Sequence, residues 1–159
     1  MDFEEFLWAL GQEGLSEQIR QHYRNDEKMV NALHELALEY CRQYMVVGGM
    51  PSSILLSPLN EDNTFMGAVA ENLVAQALVA NGHNTWYWRS DNTAKLDFVI
   101  QVGEQIIPIE VKKGTSTRAK SLSVFVDKYH PQLSLRISRK NFGMGNGIKS
   151  VPIYAIFCI

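Results

Sequence analysis

"IPIEVKKG", residues 107–114, decides how this chain is read. Ile107, Ile109 and Val111 alternate with Pro108, Glu110 and Lys112, the period-two pattern of a β-strand with one apolar face. Its other face then carries a carboxylate and an ammonium. A solvated edge strand would have such a face for solubility alone. A metal-dependent hydrolase would use it for chemistry.

The flanking sequence turns this strand into a hairpin. "KLDFVIQV" (95–102) and "QIIPIEVKK" (105–113) both read as strands, joined through Gly103-Glu104 as a two-residue turn. Val102 then faces Gln105, paired residue numbers sum to 207, and Asp97 lies opposite Glu110. Cβ atoms of such a pair are about 4.5–5.5 Å apart. Lys112 shares the face. Facing carboxylates repel and raise each other's pKa unless a cation lies between them. Two carboxylates completed by waters and a substrate phosphate make a Mg2+ arrangement, with Lys112 placed to orient water and offset phosphate charge. Pro108 implies an edge position or a bulge, and a bulge would shift the register. Lys95 falls opposite Lys112.

Around the hairpin the order reads αβββαβ(β), an α/β sandwich over 65–159. A helix over "NTFMGAVAENLVAQALVANGH" starts at Asn63 or Thr64 and stops at Asn81-Gly82. "TWYWRS" is a strand, "AKSLSVFVDKYH" a helix, "LSLRIS" a strand, 143–147 a flexible surface loop and "VPIYAIFCI" a final strand. Residues 1–50 are helical, most clearly in "MVNALHELALEYCRQYMV", and 51–64, with two prolines and a polar tail, form a linker. In the helix before the hairpin, Glu71 is the lone ionised residue in an apolar stripe. It either points to solvent or joins the acidic groups at the sheet.

The chain has 159 residues, 46% hydrophobic and 20% charged, which fits one globular domain, or one domain plus an appendage. No apolar run reaches the roughly 18–20 residues of a membrane span. The acidic start "MDFEEFLWAL" is not a signal or transit peptide, and the expected location is cytoplasmic. Cys41 and Cys158, far apart and without a CxxC, point to a reduced compartment and no zinc site. Residues 1–40 carry nine acidic side chains against three basic ones, while 112–140 carry eight basic against Asp127 alone. A basic segment like this is compatible with a polyanion such as DNA, or with a solvated face.

Several motifs resolve to bland readings. "GMGNGIKS" (143–150) fails as a phosphate-binding loop because Ile148 replaces the last glycine and a strand follows, so no ATP site is expected. Trp86 and Trp88 share a strand face and are expected to be buried against the Glu71 helix rather than to stack on bases. His22, His34, His83 and His130 lack metal-ligand spacing and are expected at the surface or at caps. Ser121 and Ser123 have no triad partners in pattern.

The sequence Glu71, Asp97, Glu110-Val111-Lys112 resembles the PD-(D/E)xK nuclease core, a helix Glu followed by a strand Asp and a (D/E)xK. "GGMP", "GAVAENLVAQAL", "WYWRS", "KLDFVI", "IPIEVKKG" and "LRISRKN…VPIYAIFCI" together resemble something narrower: the C-terminal domain of unknown function behind bacterial and archaeal AAA+-type ATPase domains. The resemblance covers about 1–51 and 64–159. It implies a restriction-endonuclease-like fold with a nuclease-like site at Glu71, Asp97, Glu110 and Lys112. Asp97, Glu110 and Glu71 would hold Mg2+ or Mn2+.

Lys95 stands where that family tends to have a further acidic residue. A long helical stretch before the Glu71 helix is reduced to about a dozen residues. The ATPase domain is missing, so a fragment or a truncated gene with an internal deletion is expected, and residues 1–50 resemble the region that follows the ATPase.

Three functions stay open: a Mg2+-dependent hydrolase of DNA phosphodiesters, a non-catalytic DNA-binding or docking module for an ATPase, and a remnant without activity. In the first, Lys113, Arg118, Lys120, Arg136 and Arg139 would track the DNA backbone. Strandedness, sequence preference and oligomeric state are not legible.

Overall fold

The computed structural model describes residues 1–47, 63–91, 94–112 and 120–159. The expected linker lies almost wholly outside them, as do Lys113 and Arg118. Helices α1 (Phe3–Ala9), α2 (Glu13–Asn25), α3 (Asn31–Val47) and α4 (Asn63–Ala80) precede strands β1 (Thr85–Arg89), β2 (Lys95–Val102) and β3 (Gln105–Val111). Then come α5 (Lys120–Tyr129), β4 (Ser134–Ser138), β5 (Gly143–Gly145), β6 (Ile148–Pro152) and a 3-10 helix, Ile153–Cys158. The strands form one six-stranded mixed sheet in the order β1-β2-β3-β4-β6-β5.

The β2–β3 hairpin has the register its turn dictates. Val102 pairs with Gln105, Ile100 with Ile107 and Phe98 with Ile109, and Gly103 takes the left-handed φ of +59° that the first position of such a turn requires. Beyond it, β4 runs parallel to β3 after the α5 crossover, with Glu110 beside Arg136. β3 is therefore interior, flanked on both sides, and the solvated edge strand is excluded. Pro108 is accommodated without a bulge, directly opposite Val99. The amide of Lys112 donates to the Ile137 carbonyl, 2.7 Å, so the amides of alternate residues in β3 face β4. Pro108 lies in that series but precedes the first β3–β4 pair, Ile109 with Leu135, so its missing N–H interrupts no described pair.

The irregularity falls on β2 instead. β1 pairs Trp86 with Val99 but Trp88 with Leu96, so β2 carries an extra residue opposite Tyr87. The β2–β3 pairs end at Phe98–Ile109, so Asp97 is not paired opposite Glu110 as the unbroken register required, nor Lys95 with Lys112. That relieves the like-charge contact expected from an unbroken register.

The main core lies on one face of the sheet. Ile100, Ile107, Ile109, Leu135 and Ile137 pack with Leu73, Val74 and Leu78 of α4 and with Phe3, Phe6, Leu7, Ile19 and Ala37 of the first three helices. The N-terminal helices thus share one apolar core with the sheet. Arg20 of α2 pairs with Glu4 of α1 and lies 5.1 Å over the Phe157 ring. A smaller cluster on the opposite face joins Leu96 and Val99 to Leu122 and Phe125 of α5.

Four expectations are corrected. The segment "VPIYAIFCI" leaves the sheet at Pro152 and winds into a 3-10 helix whose residues 153–157 are all buried, because an apolar run this short carries no period to separate strand from helix. Residues 143–147 are not a loop: β5 pairs with β6 around a turn where Asn146 and Gly147 both have positive φ. His34 is buried, 7% exposed, with Nδ1 2.8 Å from the Tyr154 hydroxyl. Trp86 is 51% exposed, and Trp88 packs edge-on against Phe125 and Tyr129 of α5, not against α4.

Candidate functional site

Alternation along β3 places Ile107, Ile109 and Val111 in the main core and turns Glu110 and Lys112 to the other face. Leu135 and Ile137 likewise fix Arg136 on that second face. The site is therefore a cluster of charges on the α5 side of the sheet, held by three adjacent strands.

Asp97 sits where β2 bulges. An unbroken register would offer the Leu96 carbonyl to the Val111 amide. Instead the Asp97 carboxylate accepts that N–H through Oδ2 at 2.8 Å. The bulge thus re-aims Asp97 toward the backbone of β3, next to Glu110.

Glu110 is 3% exposed, and its Oε1 accepts from Lys112 Nζ at 2.7 Å. Its second oxygen, Oε2, is buried without a hydrogen-bond partner. So is Nε of Arg136, on the neighbouring strand. Burial pushes the Glu110 carboxyl above its ordinary pKa, Lys112 pulls it back, the Asp97 charge raises it and Arg136 lowers it. A half-used buried carboxylate between two cations and a second carboxylate is costly to fold unless something completes it.

The Asp97 and Glu110 carboxylates, one oxygen of each already bonded within the protein, are the two side chains of this cluster that could hold a magnesium ion. Such an ion takes one or two protein carboxylates and fills its remaining positions with water and phosphate. Glu71 does not join them. It is exposed on α4, a helix whose apolar residues pack on the opposite face of the sheet. Among the described residues, no group of three or more His, Cys, Asp and Glu side chains is arranged to hold a metal.

The remaining expected residues scatter. Lys120 is exposed at the start of α5 and Arg139 is exposed just after β4. Arg136 is half-buried beside Glu110, so it belongs to the site and not to an outer basic track. Its membership depends on the β3–β4 register, which no local pattern reveals. The structure also shows that no helix among the described residues is long and apolar enough to cross a membrane.

No curated protein and no solved structure matches the chain. The family whose model matches, over residues 66–156, is described as "Domain of unknown function (DUF4143)". That span begins inside α4 and takes in every strand together with Asp97, Glu110, Lys112 and Arg136. By this match over more than half its length, the chain belongs to the DUF4143 family.

Proposed function

We propose that the chain is a restriction-endonuclease-like domain that hydrolyses DNA phosphodiester bonds with Mg2+ or Mn2+. The observation that carries this reading is Glu110: a buried carboxylate with one oxygen on Lys112 and the other without a partner, beside Asp97. The element order supports it, since α4, an antiparallel β1–β2–β3 meander, the α5 crossover and a parallel β4 follow the αβββαβ plan.

Asp97 and Glu110 would hold the ion, which when bound supplies positive charge at the phosphate and lowers the pKa of a coordinated water. Lys112, paired with Glu110, would hold the attacking water by hydrogen bond and offset charge developing on the phosphate. The Nε–H of Arg136, buried without a partner, would donate to a phosphate oxygen brought into the cluster. Glu71, if it assists, would do so from the exposed face of α4.

Cleavage of supercoiled plasmid and single-stranded DNA in Mg2+ or Mn2+ tests the proposal. Wild type should cut, and Lys112→Ala should lose cleavage while remaining folded. Undiminished cleavage by the variant overturns the assignment.

A second reading is favoured by the exposed Glu71: a docking module for an ATPase, with the same fold and no turnover. It predicts that neither protein cuts.

A further inference from the structure

We propose that a second copy of this chain pairs along β1, joining two sheets edge to edge across a two-fold axis at Tyr87. Among the described residues β1 is an outer strand of the sheet, bonded to β2 alone. Its outer side has a self-complementary pattern that follows from the observed registers.

The two-residue turn makes Val102–Gln105 a pair that exchanges both hydrogen bonds, so Val102, Ile100 and Phe98 direct their amides and carbonyls to β3. Val99 therefore faces β1, where it meets Trp86. Trp86, Trp88 and Ser90 form the inward series, and the Ser90 amide confirms it by donating to the Ala94 carbonyl at 2.8 Å. Thr85, Tyr87 and Arg89 are left pointing their backbone groups outward.

An antiparallel register centred on Tyr87 sets Tyr87 against its own copy and Thr85 against Arg89 of the second copy. Each outward residue meets another outward residue, and none of the three is left unpaired. The same register places Trp86 against Trp88 of the second copy, an aromatic cross-strand pair on each side of the axis. No like charges come opposite one another. Arg89 faces Thr85, and beyond the strand ends His83 approaches Asp91 of the second copy.

The surface has the composition such a contact needs. Tyr87 is 82% exposed, Trp86 51% and Val79 of the adjoining α4 64%. β1 contains no proline or lysine, its one charge, Arg89, lies at the strand end away from the axis, and the extra residue opposite Tyr87 belongs to β2. Neither the charged site nor its chemistry enters this inference.

Sedimentation velocity over about a hundredfold dilution series tests it, because a dimer held by one strand pair dissociates on dilution. Wild type is expected to sediment as a dimer at the concentrated end. Tyr87→Pro removes only an outward N–H, a position where an outer strand tolerates proline, and Tyr87→Lys adds a charge at the axis. Both should be monomeric, with the circular dichroism and thermal midpoint of the dissociated wild type. A wild type that stays monomeric throughout overturns the proposal, as does a dimer that persists in both variants.

Discussion

Asp97 serves the backbone and the charged cluster together, and substitution can separate the two roles. Its Oδ2 accepts the Val111 amide. Asp97→Ala leaves that N–H in the sheet interior without its partner, a loss of about 1–3 kcal/mol of stability. Asp97→Asn keeps an acceptor oxygen and should lose much less. Chemical denaturation of the two variants measures the difference. Under the proposed function both abolish cleavage, so Asp97→Asn isolates the chemistry from the fold. Glu110 and Lys112 are bound more tightly to each other than the strand pattern alone required. The pattern put them on one face, and the 2.7 Å ion pair follows from their spacing of two residues. The unpartnered Oε2 and the unpartnered Arg136 Nε had no local signal, because both depend on which strand lies on the far side of β3.

Turns and helices show where the chain's backbone demands a particular residue. Gly103 has φ +59° with open space around its missing Cβ, so Gly103→Ala suffers only backbone strain, about 1–2 kcal/mol. Gly14, in the first turn of α2, has open space and no such φ. Gly14→Ala should be neutral or stabilise by up to about 1 kcal/mol. Urea midpoints for the two variants should therefore move in opposite directions or differ clearly in size. The β2–β3 hairpin was legible because its turn chemistry and both strand patterns lie within 18 consecutive residues, 95–112, but its register held only between Phe98 and Ile109, since the bulge on β2 depends on β1. The β5–β6 hairpin was missed although it also has a local turn: β5 is only three residues, glycine at both ends, and offers no alternation to read. The 3-10 helix at 153–158 was missed for the opposite reason, being apolar throughout.

Tertiary packing decides the remaining features. His34 of α3, Tyr154 of the 3-10 helix and Met29 before α3 form a buried polar contact, the Tyr154 hydroxyl lying 3.3 Å from the Met29 sulfur. The Asn141 side chain bonds both the amide and the carbonyl of Met29, at 3.0 and 2.8 Å. This ties the helical half to the end of the sheet through residues more than 100 apart in sequence, beyond the reach of any local reading. Burial lowers the pKa of His34, partly opposed by Glu35 and by a backbone hydrogen bond at Arg139, whose charge lowers it further. Because the folded pKa lies below the unfolded one, the unfolded chain binds more protons as pH falls through the unfolded value. Stability present at neutral pH is then lost on acidification below about 6.5. His34→Gln should flatten that part of the pH profile, measured as urea midpoints at pH 7.5 and 5.5 beside wild type. The shared core of Phe3, Phe6, Leu7, Phe157 and the sheet residues predicts one cooperative unfolding transition, with no separate melting of the N-terminal helices. Two transitions by calorimetry would show that the halves fold apart.

The central claim is that the buried Glu110 carboxylate completes itself with a divalent cation. Calorimetric titration of Mn2+ into wild type and into folded Glu110→Gln tests it most directly. The account predicts saturable binding by wild type, a rise in its thermal midpoint with Mn2+, and loss of both in the variant. Equal binding by the two proteins, or none by a folded wild type, would contradict it.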